Sequence, residues 1–205
     1  PCMGLRRAGE KKFWSTHLPE QLERRAFSEV DESFAKNCLN VFLEPKTEPG
    51  QYRLIFDARP INPFLEHVKF KEEKAFENFR RELARGGFMA KLDLNSGYHH
   101  LSVTEASRPW LCFRAPEGRV YAPNNLCFGL TNAPVNFQRF IRVVVTYLRS
   151  RGVRVANKLD DFAFTARTRE ALQDTMHFVV ELFVLLGLSI NMKKSILEPK
   201  QQMVF

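Results

Sequence analysis

Three carboxylates in this sequence have a type and spacing that could do chemistry. Asp160 and Asp161 are adjacent, at the turn between two short apolar runs that begin at Val155 and end at Phe164. Asp93 closes an alternating run in which Phe88, Ala90, Leu92 and Leu94 share one face and Met89, Lys91 and Asp93 the other. Folding gains nothing from two like charges side by side, because each raises the cost of ionising its neighbour. Charge beside apolar strand residues is costly as well, unless something compensates it. Taken alone, Asp160-Asp161 reads more readily as a solvated loop tip, since aspartate is an ordinary turn residue. The alternative is a cation site. Carboxylate oxygens suit Mg²⁺, which keeps some of its water and often binds substrate phosphates. Two such ions about 3.5–4 Å apart activate an attacking hydroxyl and stabilise a leaving phosphate oxygen. Spacing by itself does not bring residues 93 and 160 together.

The elements that must position these groups follow from the pattern of the chain. Residues 155–164 read as a hairpin with the aspartates at its turn, and residues 88–94 as a strand broken by Asn95-Ser-Gly97. Tyr98–Val103 resumes an extended pattern, which makes His99 and His100 strand residues without a metal role. Residues 133–150 form a long helix, with Pro134 in its first turn and Phe137, Phe140, Ile141, Val144, Val145 and Leu148 towards the core. A second long helix spans 168–186, opened by Thr168 and stopped by Gly187. Leu188-Ser-Ile190 is a short strand, followed by Lys193-Lys194 and the start of a final hairpin. Upstream, residues 41–43 and 52–56 pair across a turn-rich link, and 110–114 pairs with 119–121. Residues 73–85 and 22–38 are predicted helices, and residues 1–21 a polar, basic, loosely ordered start. Helices alternating with hairpins give an α+β fold with a largely antiparallel sheet.

Composition narrows the function classes. The chain has 205 residues, a formal charge of +8 and 19 phenylalanines. Its basic balance favours an anionic partner, nucleic acid being the commonest. Four widely spaced cysteines give neither metal-ligand spacing nor a disulfide framework, so a reduced intracellular compartment, cytoplasm or nucleus, is expected. No apolar run has the length of a membrane span, and the first residues lack the apolar core of a secretion signal.

Five blocks then occur in order: Pro45-Lys46 with Arg53-Leu-Ile-Phe-Asp-Ala-Arg-Pro-Ile-Asn62; Asp93-Leu-Asn-Ser-Gly-Tyr-His-His-Leu-Ser-Val103; Cys127-Phe-Gly-Leu-Thr-Asn-Ala-Pro-Val-Asn-Phe137; Leu159-Asp-Asp-Phe162; and Leu186-Gly-Leu-Ser-Ile-Asn-Met-Lys-Lys-Ser195. From about residue 41 onward the chain resembles a retroelement reverse transcriptase. The resemblance implies a right-hand polymerase fold, with fingers at 41–68 and 101–132 and palm at 69–100 and 133–205. Residues 1–40 would be an extension, and the chain would stop at the primer-grip hairpin. Thumb and ribonuclease H domains would lie in a longer polyprotein. It also implies an RNA-directed DNA polymerase that joins deoxynucleotides to a primer 3′-hydroxyl on an RNA or DNA template.

The same resemblance assigns roles. Asp93 and Asp160 would be the principal ligands of two Mg²⁺ ions, with Mn²⁺ as the alternative, and Asp161 a more peripheral third carboxylate. Lys46 and Arg53 would meet the triphosphate. Tyr98 would be the gate that excludes a 2′-hydroxyl by clash. Phe128, Gly129 and Pro134 would support the incoming nucleotide and template, and Lys194 would protonate the leaving pyrophosphate. Arg59 either contacts template, or it and Asp57 pair with each other or with neighbours.

One position departs from the family. Where an aromatic tyrosine usually stands, two residues before the first turn aspartate, this chain has Lys158. Two readings are open. The lysine pairs with Asp160 or Asp161 and competes with metal, or it holds a primer phosphate. The competing function is a catalytically inactive nucleic-acid-binding remnant of the polymerase fold.

Overall fold

A computed structural model describes residues 11–46, 49–66, 68 and 87–201. In chain order its main elements are helix α1 (Leu18–Glu23), strands β1 (Phe27–Val30), β2 (Val41–Pro45), β3 (Tyr52–Phe56), β4 (Phe88–Asp93), β5 (Phe113–Arg114) and β6 (Val120–Pro123), helix α2 (Ala133–Ser150), strands β7 (Arg154–Lys158) and β8 (Asp161–Ala166), helix α3 (Arg169–Leu185) and strand β9 (Ile196–Lys200). The chain divides into two compact units, Pro1–His67 with Tyr98–Ala133, and Val68–Gly97 with Pro134–Phe205.

The first unit holds an antiparallel sheet ordered β1-β6-β5 and the separate β2–β3 hairpin. Its core buries Phe13, Phe27, Phe56 and Phe113. The Phe113 ring, fully buried, meets Phe27 edge-on at 5.2 Å, Phe56 edge-on at 5.4 Å and Tyr121 at 5.6 Å. Edge-to-face pairs of this kind add about 0.5–1.5 kcal/mol each beyond their area burial.

The second unit is built on a four-stranded antiparallel sheet ordered β7-β8-β4-β9. Helix α3 packs on β9, β4 and β8, with Phe183 edge-on to Phe162 at 5.1 Å. Thr168 caps that helix as expected, its hydroxyl accepting the Ala171 N–H at 3.2 Å. Helix α2 spans the residues the periodicity predicts and buries Phe137, Ile141, Val144, Val145 and Leu148, while Phe140 is half-buried and Arg139, Arg142 and Arg149 face solvent.

Five expectations fail. The helix predicted at 22–38 does not form. A helical segment instead runs from Phe13 to Glu23, and Arg25 ends it in a left-handed conformation, φ 56°. Phe27–Val30 then pairs with Pro123–Val120, so tertiary strand pairing overrides a helical spacing. Residues 11–21 are correspondingly ordered, with Phe13 and Leu18 buried in the first unit's core. Gly97–His100 is a 3₁₀ turn rather than a strand, and only Ser102 makes a bridge, to Asn125. Within 188–190 a single residue, Ile190, pairs, with Leu94. Trp110 likewise lies in a 3₁₀ turn, Arg108–Trp110, with Pro109 inside it, so β5 starts only at Phe113. The predicted helix at 73–85 and the closing hairpin lie outside the described residues. No described helix is long and apolar enough to cross a membrane. Cys38, Cys112 and Cys127 are free thiols.

Candidate active site

The strand β4 is central in the second unit's sheet, and its register places Asp93 directly opposite Asp161 of β8. A two-residue loop, Leu159-Asp160, joins β7 to β8, with Lys158 opposite Asp161. Leu159 takes a left-handed φ of 53°, which a branched non-glycine residue rarely adopts. The Leu94 N–H donates to the Asp160 carbonyl at 3.1 Å, tying the end of β4 to that loop. The three sequence-predicted carboxylates thus converge at one end of one sheet.

Two residues absent from the sequence-level site hold Asp93 in place. Its N–H donates to Ser195 Oγ at 3.0 Å, and its carbonyl accepts the Asn191 N–H at 2.8 Å. The register of β4 against β9 shifts between Met89 and Lys91, and Ser195 lies just before the shortened pairing. Gly97 completes the floor. A Cβ there would stand 2.9 Å from the Phe137 ring and 3.1 Å from Asp160 Cβ, so glycine allows the close approach.

The cluster is electrostatically tense. Burial, and then the carboxylates of Asp161 and Asp160, push the Asp93 carboxyl up to about 6, while the charge of Lys194 pulls the other way. Lys194 is therefore the lysine of the Lys193-Lys194 pair whose charge acts on Asp93. Asp161 Oδ1 is buried and receives no aligned hydrogen bond. The Lys91 ammonium lies 3.0 Å from it, in ion-pair range but without hydrogen-bond geometry. Lys91 was visible in the sequence only as the i−2 neighbour of Asp93 on the same strand face.

The donor chemistry fits a hard divalent cation, because the cluster offers only carboxylate oxygens and one of them is buried without a donor. As arranged, however, no group of three or more His, Cys, Asp or Glu among the described residues converges on a common ion position.

Of the sequence-predicted nucleotide-side residues, Lys46, Arg53, Tyr98, Phe128 and Gly129 lie in the first unit and Pro134 in the second. Arg53 on β3 pairs with Glu44 at 3.6 Å and lies over the Phe128 ring, 4.7 Å from its centroid. The Tyr98 ring lies 4.8 Å from the same Phe128 ring. Phe128 is pinned to the hairpin, its carbonyl accepting the Phe56 N–H at 2.9 Å. Gly129, at φ 111°, passes so close that a Cβ would stand 2.0 Å from the Phe56 carbonyl oxygen. Asn62, part of a sequence block but given no role there, clamps the same loop. Its Nδ2 donates to the Gly129 carbonyl at 3.1 Å, and its Oδ1 accepts the Thr131 N–H at 3.1 Å.

Lys46 follows β2, with its N–H on the Gln51 carbonyl at 2.9 Å. His99 is pushed down to about 4, first by burial and then by the charges of His100, Lys46 and Arg24. It is therefore neutral at pH 7. Arg59 pairs with Asp57, Nε at 2.7 Å and Nη2 at 2.6 Å, which holds the Asp57 carboxyl below its usual range. Pro134 lies in the first turn of α2.

The family model described as "Reverse transcriptase (RNA-dependent DNA polymerase)" matches residues 44–204. The chain belongs to the reverse transcriptase family. Among curated relatives, the Transposon Tf2-3 polyprotein of Schizosaccharomyces pombe is 30% identical over 116 residues, covering 57% of this chain and 8% of its own length. The Tf2-7 polyprotein of the same yeast gives the same figures. This reverse transcriptase chain thus spans a small part of the polyproteins it matches. Among solved structures, a foamy viral protease-reverse transcriptase in complex with dsDNA superposes with a TM-score of 0.81 at 18% identity, covering 95% of this chain and 39% of the viral one. A second foamy viral complex with double-stranded DNA gives a TM-score of 0.77 at 18% identity, over 90% of this chain and 31% of that one. The fold is accordingly the α+β right-hand polymerase fold.

Proposed function

We propose that this reverse transcriptase chain is the RNA-directed DNA polymerase core of a mobile retroelement, acting on a primed template with deoxynucleotides. The observation that carries the reading is the β4–β8 register, which sets Asp93 beside Asp160-Asp161 with Asp93 strongly raised by burial and by its neighbours. Family membership supports the activity, and the net charge of +8 suits a nucleic-acid partner.

In this reading residues 41–68 and 101–132 are the fingers and residues 69–100 and 133–205 the palm. Asp93 and Asp160 hold divalent metal, Mg²⁺ in the first instance, with Asp161 the peripheral carboxylate. When bound, such ions neutralise phosphate charge and lower the cost of forming the attacking alkoxide. Lys194, whose charge already acts at Asp93, supplies a proton to the leaving pyrophosphate. Arg53, oriented by Phe128, and Lys46 meet the triphosphate. Tyr98, fixed against the same Phe128 ring, leaves no room for a 2′-hydroxyl.

The test is primer extension on a primed RNA template with Mg²⁺ and deoxynucleotides, using the longest polypeptide that contains this chain. Extension that is lost in Asp160→Asn is expected. Extension indifferent to that change would reject the site, and Tyr98→Ala should newly admit ribonucleotides.

A second reading has its own observation. Lys91 already lies against Asp161, and Lys158 stands opposite Asp161 across the hairpin. An inactive remnant that only binds nucleic acid would show salt-sensitive binding to primer-template and no metal-dependent synthesis. Recovery of synthesis in Lys158→Tyr would identify that lysine as the lesion.

A further inference from the structure

We infer that Lys91 is a positioning residue of the carboxylate cluster, and that its ammonium and an incoming divalent cation compete for Asp161 Oδ1. The inference rests on the metal-binding reading above and concerns what that reading leaves out, namely how the cluster is held before an ion arrives.

Lys91 lies on the central strand of its sheet, facing Ala163 of β8 on one side and Ile196 of β9 on the other. Its side chain is only 20% exposed, so its stem is held by the sheet while its head reaches Asp161. Asp161 is the register partner of Asp93, two residues along β4 from Lys91, so the contact is a diagonal one across the strand pair. The head arrives at 3.0 Å without aligning an N–H on the oxygen, which is otherwise buried and without a donor. The result is a compensated charge with an unused lone pair. That is a poor final state for a buried carboxylate oxygen and a good starting state for exchange, because a harder cation gains more there than the ammonium loses.

The ammonium also adds positive charge at Asp161, the register partner of Asp93 and the chain neighbour of Asp160. It therefore weakens ion binding while keeping the three carboxylates together in the ion's absence. The Lys91–Asp161 pair is a contact that an ion at Asp161 Oδ1 would have to displace.

The experiment is Mn²⁺ titration of this chain, read by the loss of the free-ion electron paramagnetic resonance signal. Wild type, Lys91→Met, Lys91→Arg and Asp93→Asn are compared, each with a thermal melt with and without Mn²⁺. Lys91→Met should bind Mn²⁺ about tenfold tighter than wild type. It should melt lower without the ion and gain more from it. Lys91→Arg should remain near wild type. In an Asp161→Asn background, the Lys91→Met effect on affinity should largely vanish. Unchanged or weaker Mn²⁺ binding in folded Lys91→Met would overturn the inference. Should Lys91→Met not fold, Lys91→Gln carries the same comparison. The reading beneath it fails separately: wild-type Mn²⁺ binding that Asp93→Asn leaves intact would remove the metal site itself.

Discussion

Asp57, in the first unit, and Asp161, in the second, each lie beside a cation, yet the two pairs differ in kind. Arg59 meets Asp57 with two aligned N–H donors from two residues away, at 2.7 and 2.6 Å. That carboxylate is saturated locally, and its pKa is held down by the contact. Lys91 meets Asp161 from another strand, along a diagonal, and leaves the oxygen without an aligned donor. Asp161 also shares its surroundings with Asp93 and Asp160, so compensation there is incomplete by construction. A saturated carboxylate has little left to offer a ligand. An undersaturated one is held in place by the sheet at a cost in stability, and that cost is a physical reason to look for chemistry there.

The sharpest way to test this contrast is to neutralise aspartates one at a time and measure metal-dependent primer extension. Asp93→Asn and Asp160→Asn should each lose at least about a thousandfold in rate, since catalysis in such sites is mostly charge neutralisation and positioning. Asp57→Asn should stay within about threefold, because the pair it breaks is local and Arg59 remains solvated. Comparable losses at all three positions would erase the distinction.

The backbone approach at Gly129 offers the next largest effect. A methyl there would meet the Phe56 carbonyl oxygen at 2.0 Å, and the residue's φ of 111° is closed to L side chains. Gly129→Ala should destabilise the protein by about 3 kcal/mol in denaturant unfolding. At Gly97 the obstacles are the far end of a phenylalanine ring and a Cβ, at 2.9 and 3.1 Å. Gly97→Ala should therefore cost about 1 kcal/mol, as the ring can yield. Equal penalties would mean that the carboxylate floor is as rigid as the hairpin contact.

The first unit's stack of Arg53, Phe128 and Tyr98 predicts a smaller, kinetic effect. Arg53→Ala should raise the KM for deoxynucleotide about tenfold with a lesser change in kcat. Phe128→Leu keeps the guanidinium but removes the ring beneath it, and should raise KM about threefold, the worth of one cation–π contact. It should also loosen sugar selectivity, because Tyr98 loses the neighbour that fixes it.

How much of this was legible beforehand divides along physical lines. The long helices, the β2–β3 and β7–β8 hairpins and the strand ending in Asp93 announced themselves, because their apolar positions repeat with the period of the element they form. The carboxylates and their order were legible too, as were the glycine at position 97 and the basic residues of the β2–β3 hairpin. What failed was local pattern overruled from a distance. Phe27 and Val30 have helical spacing, but β6 supplies a strand partner some ninety residues away in sequence. Residues 98–103 alternate like a strand, but the turn that begins at Gly97 continues through His100 and buries His99 edge-on against Phe27. Lys91, Ser195 and Asn62 escaped for another reason. Each acts through a partner fixed only by tertiary register, and no spacing along the chain encodes that partner.

The smallest effect separates stability from activity at one residue. In the folded protein the Asp93 carboxyl is pushed up to about 6, against an ordinary value of 3.8. Between those values the folded state holds a proton that the unfolded chain has released. Stability therefore falls as pH rises from about 4 through 6 and is level above that. Asp93→Asn removes the group that must ionise at a cost. At pH 7.5 the variant should be more stable than wild type by about 1 kcal/mol, a figure reduced from the full shift because the cluster is partly solvated. Below pH 4 the difference should disappear, since the wild-type carboxyl is then protonated in both states. Urea unfolding at pH 3.5, 5.5 and 7.5 reads this directly. A variant that is more stable yet inactive marks Asp93 as a residue kept against folding's own preference, whereas Asp57→Asn, which gives up a satisfied pair, should show no such gain at any pH.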